Sequence, residues 1–206
     1  MTLIERSSAA QHKWESLDYR TIISSMSARL GNISPETALL IKDDILTARR
    51  VMKAINLPGP TGESNMLTFH ARGVLVIISE GNLDLLTHQV IKSITTGNSV
   101  VICGAKDMPA KLSNLLQLLH DAGVPKDLIS FAPQGLEHNI LKSGIDIDGV
   151  VTDGAKRIEI AKNLCLREGP ILPVLSVNDD VERFILERTK TIDTTAAGGN
   201  VSLLAM

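Results

Sequence analysis

Aromatic side chains are scarce in this 206-residue chain: they make up 2% of it, as one tryptophan, one tyrosine and three phenylalanines. Proteins that bind single-stranded nucleic acid use such rings as stacking platforms, so composition argues against that class of partner. Strong charge of either sign is also lacking, the formal net charge being -2. Without a basic field to attract phosphates or anionic lipid, nucleic acid is excluded a second time. Cysteine is limited to Cys103 and Cys165, far apart and without metal-ligand spacing, which predicts reduced thiols and a cytoplasmic setting. No apolar run reaches the roughly 18 residues of a membrane span, and Met1-Thr-Leu-Ile-Glu-Arg-Ser-Ser8 is not a signal-peptide core. A soluble protein is expected, with no membrane contact from this domain.

What is present is 44% hydrophobic residues, enough for one sizeable core in a chain of this length. Residues 1–31 allow one amphipathic helix through Trp14, Leu17, Ile22, Ile23, Met26 and Leu30. Ser34 and Pro35 form a start signal for a helix over about 35–56. Leu57-Pro-Gly-Pro-Thr-Gly-Glu-Ser-Asn65 must be a loop, since its prolines and glycines remove donors and favour turns. Thereafter short apolar runs alternate with amphipathic stretches. They predict strands at 66–71, 73–78, 99–103, 128–132, 148–152 and 170–176, and helices at 84–96, 109–122, 135–142 and 155–167. That alternation specifies an α/β fold, a Rossmann-like doubly wound parallel sheet. Residues 187–192 alternate like an exposed strand, and pairing them with 66–71 gives a two-stranded β-flap. The expected organisation is an N-terminal helical segment (1–56), a Rossmann-like domain (57–179), and a flap strand with an extended C-terminal tail (180–206).

Chemistry-bearing residues are few. His12, His70, His88, His120 and His138 share no metal-site spacing and read as scattered surface or part-buried groups. Asp43-Asp44 and Asp179-Asp180 are adjacent pairs, whose members point apart, and read as a solvated face. Cys103 and Cys165 read as small core residues rather than nucleophiles, because no base accompanies either. The tail is Thr194, Thr195, Ala196, Ala197, Gly198, Gly199 and Asn200, followed by apolar Val201, Leu203, Leu204 and Met206. Glycines permit close backbone approach, and an apolar end favours burial over solvent. Physics alone leaves a docking segment and a frayed end equally open.

Several blocks together resemble the C-terminal domain of the long bacterial proline utilization A proteins, bifunctional flavoenzymes that convert proline to glutamate. They are Leu57-Pro-Gly-Pro-Thr-Gly-Glu-Ser-Asn65, Gly97-Asn98, Asp148-Gly-Val-Val151, Arg167-Glu-Gly-Pro170, Glu187-Arg188 and Thr194-Thr-Ala-Ala-Gly-Gly-Asn200, in that order. The resemblance covers roughly residues 35–206. It implies the nucleotide-binding half of an aldehyde dehydrogenase, with a degenerate crevice at Ser79, Asn82, Cys103, Lys106 and Gly154. Ser-Pro-Trp-Asn-Phe-Pro of that family is Ser79-Glu-Gly-Asn-Leu-Asp84 here, keeping Asn82 but losing the tryptophan and proline around it. The lysine and glutamate that hold the adenosine ribose correspond to Cys103 and Lys106. The turn that receives pyrophosphate reads Thr152-Asp-Gly-Ala-Lys156, where Asp153 adds negative charge at a helix start, partly offset by Lys156 and Arg157. Arg167-Glu-Gly-Pro-Ile-Leu-Pro173 passes to the flap within about fifteen residues, leaving no room for the domain that bears the catalytic cysteine.

The resemblance therefore implies a non-catalytic accessory domain that binds no cofactor, within an enzyme that uses FAD and NAD. Its partner is the aldehyde dehydrogenase domain of the same polypeptide or protomer, whose active site the flap and tail cover, sealing a substrate-channelling cavity. A homodimer through the flap is a further possibility. The alternative from another class is a residual NAD-binding module.

Overall fold

Ten consecutive-type core residues set the frame: Val74-Leu-Val-Ile-Ile78 and Ser99-Val-Val-Ile-Cys103 are buried along their whole length. The computed structural model describes residues 1–26, 34–104, 107–133, 139 and 145–193. In chain order the helices are α1 (Leu3–Glu15), α2 (Tyr19–Met26), α3 (Pro35–Val51), α4 (Leu83–Thr95), α5 (Met108–Lys111), α6 (Ser113–Asp121) and α7 (Arg157–Cys165). The strands are β1 (Ile55–Leu57), β2 (Glu63–Ala71), β3 (Val74–Ile78), β4 (Ser99–Cys103), β5 (Ile129–Phe131), β6 (Gly149–Val151), β7 (Val174–Leu175) and β8 (Ile185–Asp193). A parallel sheet has the order β5-β4-β3-β6-β7, and a separate antiparallel sheet has the order β1-β2-β8. The predicted α/β, doubly wound fold with a flap is the observed one.

Alternation along β3 divides the core. Leu75 and Ile77 enter a cluster with Trp14, Ile41, Ile45, Leu86, Ile94 and Phe184. Val74, Val76 and Ile78 enter a second cluster with Val101, Val150, Ile160 and Leu164. Burial on both faces explains why the strand is a continuous apolar run, and each such side chain contributes about 1.5–3 kcal/mol. The single tryptophan lies inside: Trp14 is fully buried, and its indole N–H donates to the Ile94 carbonyl at 2.9 Å, fastening α1 to α4.

Several boundaries differ from the periodicity. The single helix expected in 1–31 is two, because after Glu15 the Ser16 hydroxyl turns back to the Lys13 carbonyl at 2.7 Å and a new helix starts at Tyr19. The Ser34 hydroxyl does cap α3, accepting from the Thr37 amide at 3.3 Å, but α3 ends at Val51 rather than 56. Residues 55–57 become β1 and pair with 65–67, so tertiary pairing overrides helical spacing. The flap consequently has three strands, not two. Its main ribbon runs from Glu63↔Asp193 to Ala71↔Ile185, containing the predicted pairing and extending it. The helix expected at 109–122 divides at Leu112. Most of the helix expected at 135–142 and the whole tail from 194 lie outside the described residues, as do Lys106 and His138.

The flap is held at its root. The Glu15 carboxylate accepts from the Ala71 amide at 3.3 Å and lies 3.2 Å from His70 Nδ1. The Asn98 side chain accepts from the Gly73 amide at 3.0 Å and donates to the Phe184 carbonyl at 2.9 Å, bonding both chain crossings from flap to core. Gly73 itself has φ +136° and lies against the Asp148 carboxylate, a place where a side chain would meet both strain and collision.

Asp148 accepts from the Val74 amide at 2.7 Å, and burial raises its carboxyl pKa above the ordinary value. A raised folded-state value means that the stability from this group is full below the unfolded value near 3.9 and is lost as pH rises through the folded one. Asp148→Asn keeps an oxygen for Val74. The variant should melt above the parent at pH 7 and together with it near pH 3.5; melting curves that differ equally at both pH values would refute this assignment.

Candidate functional site: a switch-point crevice and the polar node beside it

In the order β5-β4-β3-β6-β7 the crossovers diverge between β3 and β6, and at such a point a parallel sheet opens a ligand crevice beyond its strand ends. The crevice is there, with a volume of about 530 Å³, lined by Ser79, Glu80, Gly81, Gly104, Met108, Ala155 and Lys156. Of the sequence-predicted residues, Ser79 lines it and Gly154 borders it. Gly154 has φ +107°, and a Cβ there would lie 2.8 Å from the Glu80 carboxylate. Asn82 is the N-cap of α4, its side-chain oxygen accepting from the Leu85 amide at 3.0 Å. Cys103 is 2% exposed and belongs to the core cluster behind the sheet, as the sequence predicts. Cys165, also expected in the core, is exposed instead, because α7 buries Ile160 and Leu164 and turns position 165 outward.

Two features of the described crevice differ from those of a dinucleotide site. Glu80 places a carboxylate beside Gly154, where pyrophosphate would approach a helix start. Cys103 is too buried to bond a ribose. Among the described residues no group of three histidine, cysteine, aspartate or glutamate side chains is placed to hold a metal, and no helix is long and apolar enough to cross a membrane.

A second assembly, missed by sequence reading, lies where α3, α4 and the loop after β7 meet. Lys92 is 3% exposed, and its ammonium donates to Asp44 Oδ1 at 2.9 Å, to the Val177 carbonyl at 2.8 Å and to the Asp179 carbonyl at 2.7 Å. Three donors meet three acceptors, so the buried cation is fully satisfied. His88, 5% exposed, lies 2.6 Å from the other Asp44 oxygen. Asp179 accepts from the Ser176 amide at 2.8 Å and pairs with Arg183 at 3.1 Å and Arg157 at 3.6 Å. Asp44 and Asp179 are thus drawn inward rather than forming a solvated face, and His88 is buried rather than a surface group. Asp153 is also turned in: it bonds the Ser176 hydroxyl, the Gln89 amide at 3.0 Å and the Val177 N–H at 3.3 Å. The charge expected to repel phosphate instead fixes the loop after β7. Helical spacing gave one usable signal, since His88 and Lys92 are four residues apart on α4 and share one face.

The fold and crevice together define a nucleotide-binding-type α/β domain of the aldehyde dehydrogenase architecture. A solved proline utilization A from Bradyrhizobium japonicum, an aspartate-to-tyrosine mutant, superposes with TM-score 0.68 and 27% identity over 84% of this chain and 21% of that one. The aldehyde dehydrogenase family model matches residues 3–152, and the chain belongs to that family. The bifunctional protein PutA of Rhizobium meliloti is 32% identical over 165 residues, 74% of this chain and 12% of that protein. 1-Pyrroline-5-carboxylate dehydrogenase 1 of Halalkalibacterium halodurans is 35% identical over 74 residues, 35% of this chain and 14% of that protein. The likeness to proline utilization A inferred from sequence blocks is borne out, and the family match begins well upstream of residue 35. The chain spans between about an eighth and a fifth of the length of these relatives.

Removing the counter-ion from Lys92 leaves a buried unpaired charge. Asp44→Ala should therefore lower unfolding free energy by about 3–5 kcal/mol, read from urea denaturation. Replacing both partners, Asp44→Leu with Lys92→Met, should recover most of that loss. A single variant as stable as the parent would show that the pair is not buried as described.

Proposed function

We propose that this chain is a non-catalytic accessory domain of a bifunctional enzyme that oxidises proline to glutamate. Its flap and tail pack on an aldehyde dehydrogenase domain of the same enzyme, cover that active site and seal the cavity through which the intermediate passes. The observation that carries this reading is the nine-residue β2–β8 ribbon. Away from its root it is largely solvent-exposed, with Met66 and Ile192 uncovered on one face and Ile55 of the adjoining β1 uncovered on the other, and its last strand leads into the tail sequence. A small sheet of that kind gains stability from a partner surface, and exposed large apolar side chains such as Met66 and Ile192 on one face mark a contact site.

The remaining support is chemical. The link from β7 to β8 has nine residues, 176–184, so the fold proceeds from nucleotide-type sheet to flap with no catalytic domain between them. Thiohemiacetal chemistry requires a cysteine nucleophile and a base in one cleft, and neither Cys103 nor Cys165 lines the crevice. Covering another domain's site would exclude water and retain an intermediate that would otherwise diffuse away. FAD and NAD then belong to the parent enzyme, and its setting is the cytoplasm.

Two measurements test this. Deleting residues 194–206 from the complete enzyme should slow coupled proline-to-glutamate turnover several-fold; coupling and aldehyde oxidation both unchanged would refute the lid. Calorimetric titration of the 206-residue chain with NAD should give no binding heat at millimolar ligand. Saturable binding would instead establish the residual NAD-binding module.

A further inference from the structure

The strand register gives the flap two chemically different faces. In an antiparallel sheet, directly opposed residues point to the same side, and the side alternates along each strand. The pairs Ser64↔Ile192, Met66↔Lys190, Thr68↔Arg188 and His70↔Leu186 therefore share one face. That face has Arg188 and Lys190 and no carboxylate. The opposite face takes Glu63↔Asp193, Asn65↔Thr191, Leu67↔Thr189 and Phe69↔Glu187, three carboxylates and no cation. The two cations and three carboxylates are not mixed across the sheet, as they would be on a surface that only needs solubility.

The basic face is also unfinished. Arg188 and Lys190 are exposed, lie about 7 Å apart along the strand, and form no ion pair with any described residue. Between and beside them are Met66, 37% exposed, and Ile192, 45% exposed. Apolar groups next to uncompensated cations of one sign match a partner that presents an apolar surface with an acidic border. The opposite face also carries Ile55 of β1, 47% exposed and opposed to Leu67, but its charges are all carboxylates and at its base Phe69 packs against the main core.

Resting on the accessory-domain reading above, we infer that the basic face of the flap, Met66, Arg188, Lys190 and Ile192, is its docking face, and that the partner protein surface beneath it is apolar with carboxylates around it. Two nine-residue strands cover roughly 300 Å² per face, below the roughly 800 Å² per partner of a standard stable interface. The flap face is thus one part of a larger contact, which suits a domain held in the same polypeptide better than a free partner.

The test uses the complete enzyme and the oxidation rate of Met66 by dilute peroxide, followed by peptide mass. Charge reversal on the docking face, Arg188→Glu with Lys190→Glu, should accelerate Met66 oxidation about tenfold. Reversal on the other face, Glu63→Lys with Glu187→Lys, should leave it unchanged. In the unmutated enzyme, raising salt from 0.05 to 0.5 M should also accelerate it, because screening weakens the rim pairs without altering the fold. Equal oxidation rates in all three proteins with no salt effect, or acceleration only in the Glu63/Glu187 variant, would overturn the assignment. Either result could coexist with loss of coupling on deleting 194–206, so failure of the face assignment is distinguishable from failure of the accessory-domain reading.

Discussion

The buried Lys92 ammonium is the interaction on which the rest of the arrangement depends. It lies where α3, α4 and the loop after β7 meet, and each supplies part of its shell: Asp44 from α3, the lysine itself from α4, and two carbonyls from residues 177 and 179. A buried charge is costly unless every donor is matched, so the three elements cannot separate one at a time. Phe184 adds its ring 5.5 Å from the same ammonium, immediately before β8 begins. The geometry of a flap that stands outside the core is in this way set from inside it.

The same node explains what became of the crevice. In a dinucleotide site the loop at the end of β6 must leave its amides free for phosphate. Here the Asp153 carboxylate at that loop is bonded to Gln89, Ser176 and Val177, and Glu80 fills the approach to Gly154. Glu80 places negative charge where a phosphate would approach, while Asp153 holds the loop that leads to the flap.

Much of the main sheet was legible because parallel strands buried on both faces must be continuous apolar runs, and β3 and β4 are such runs without interruption. The flap pairing was legible for a different reason: the 187–192 alternation had no place in a parallel core and required a partner of its own kind. The failures share a cause. β1 has only Ile55-Asn-Leu57, too short to oppose the helical spacing that precedes it, and it is a strand because β2 lies beside it. Asp44 read as part of a solvated face and His88 as a surface or part-buried group because their burial depends on Lys92, which the sequence marks only by its four-residue spacing from His88. Asn82 kept the family's residue type, yet in the structure its oxygen caps α4 rather than facing the crevice, so residue identity alone carried no chemistry.

The root of the flap adds a constraint that neither the core nor the node supplies. Asn98 bonds Gly73 after β2 and Phe184 before β8, while Glu15 at the end of α1 bonds the Ala71 amide. Both strands of the ribbon are therefore fixed where they leave the body, and their register runs without a bulge over nine pairs. A ribbon anchored at both strands can bend only as a unit, which keeps the side-chain alternation fixed relative to the body. Its two faces consequently remain distinct, and the orientation of Arg188 and Lys190 follows from side chains some 90 residues away in the sequence. The Gly97-Asn98 block thus has a mechanical meaning here: glycine turns the chain at φ +87°, and the asparagine behind it ties both strands of the flap to the body.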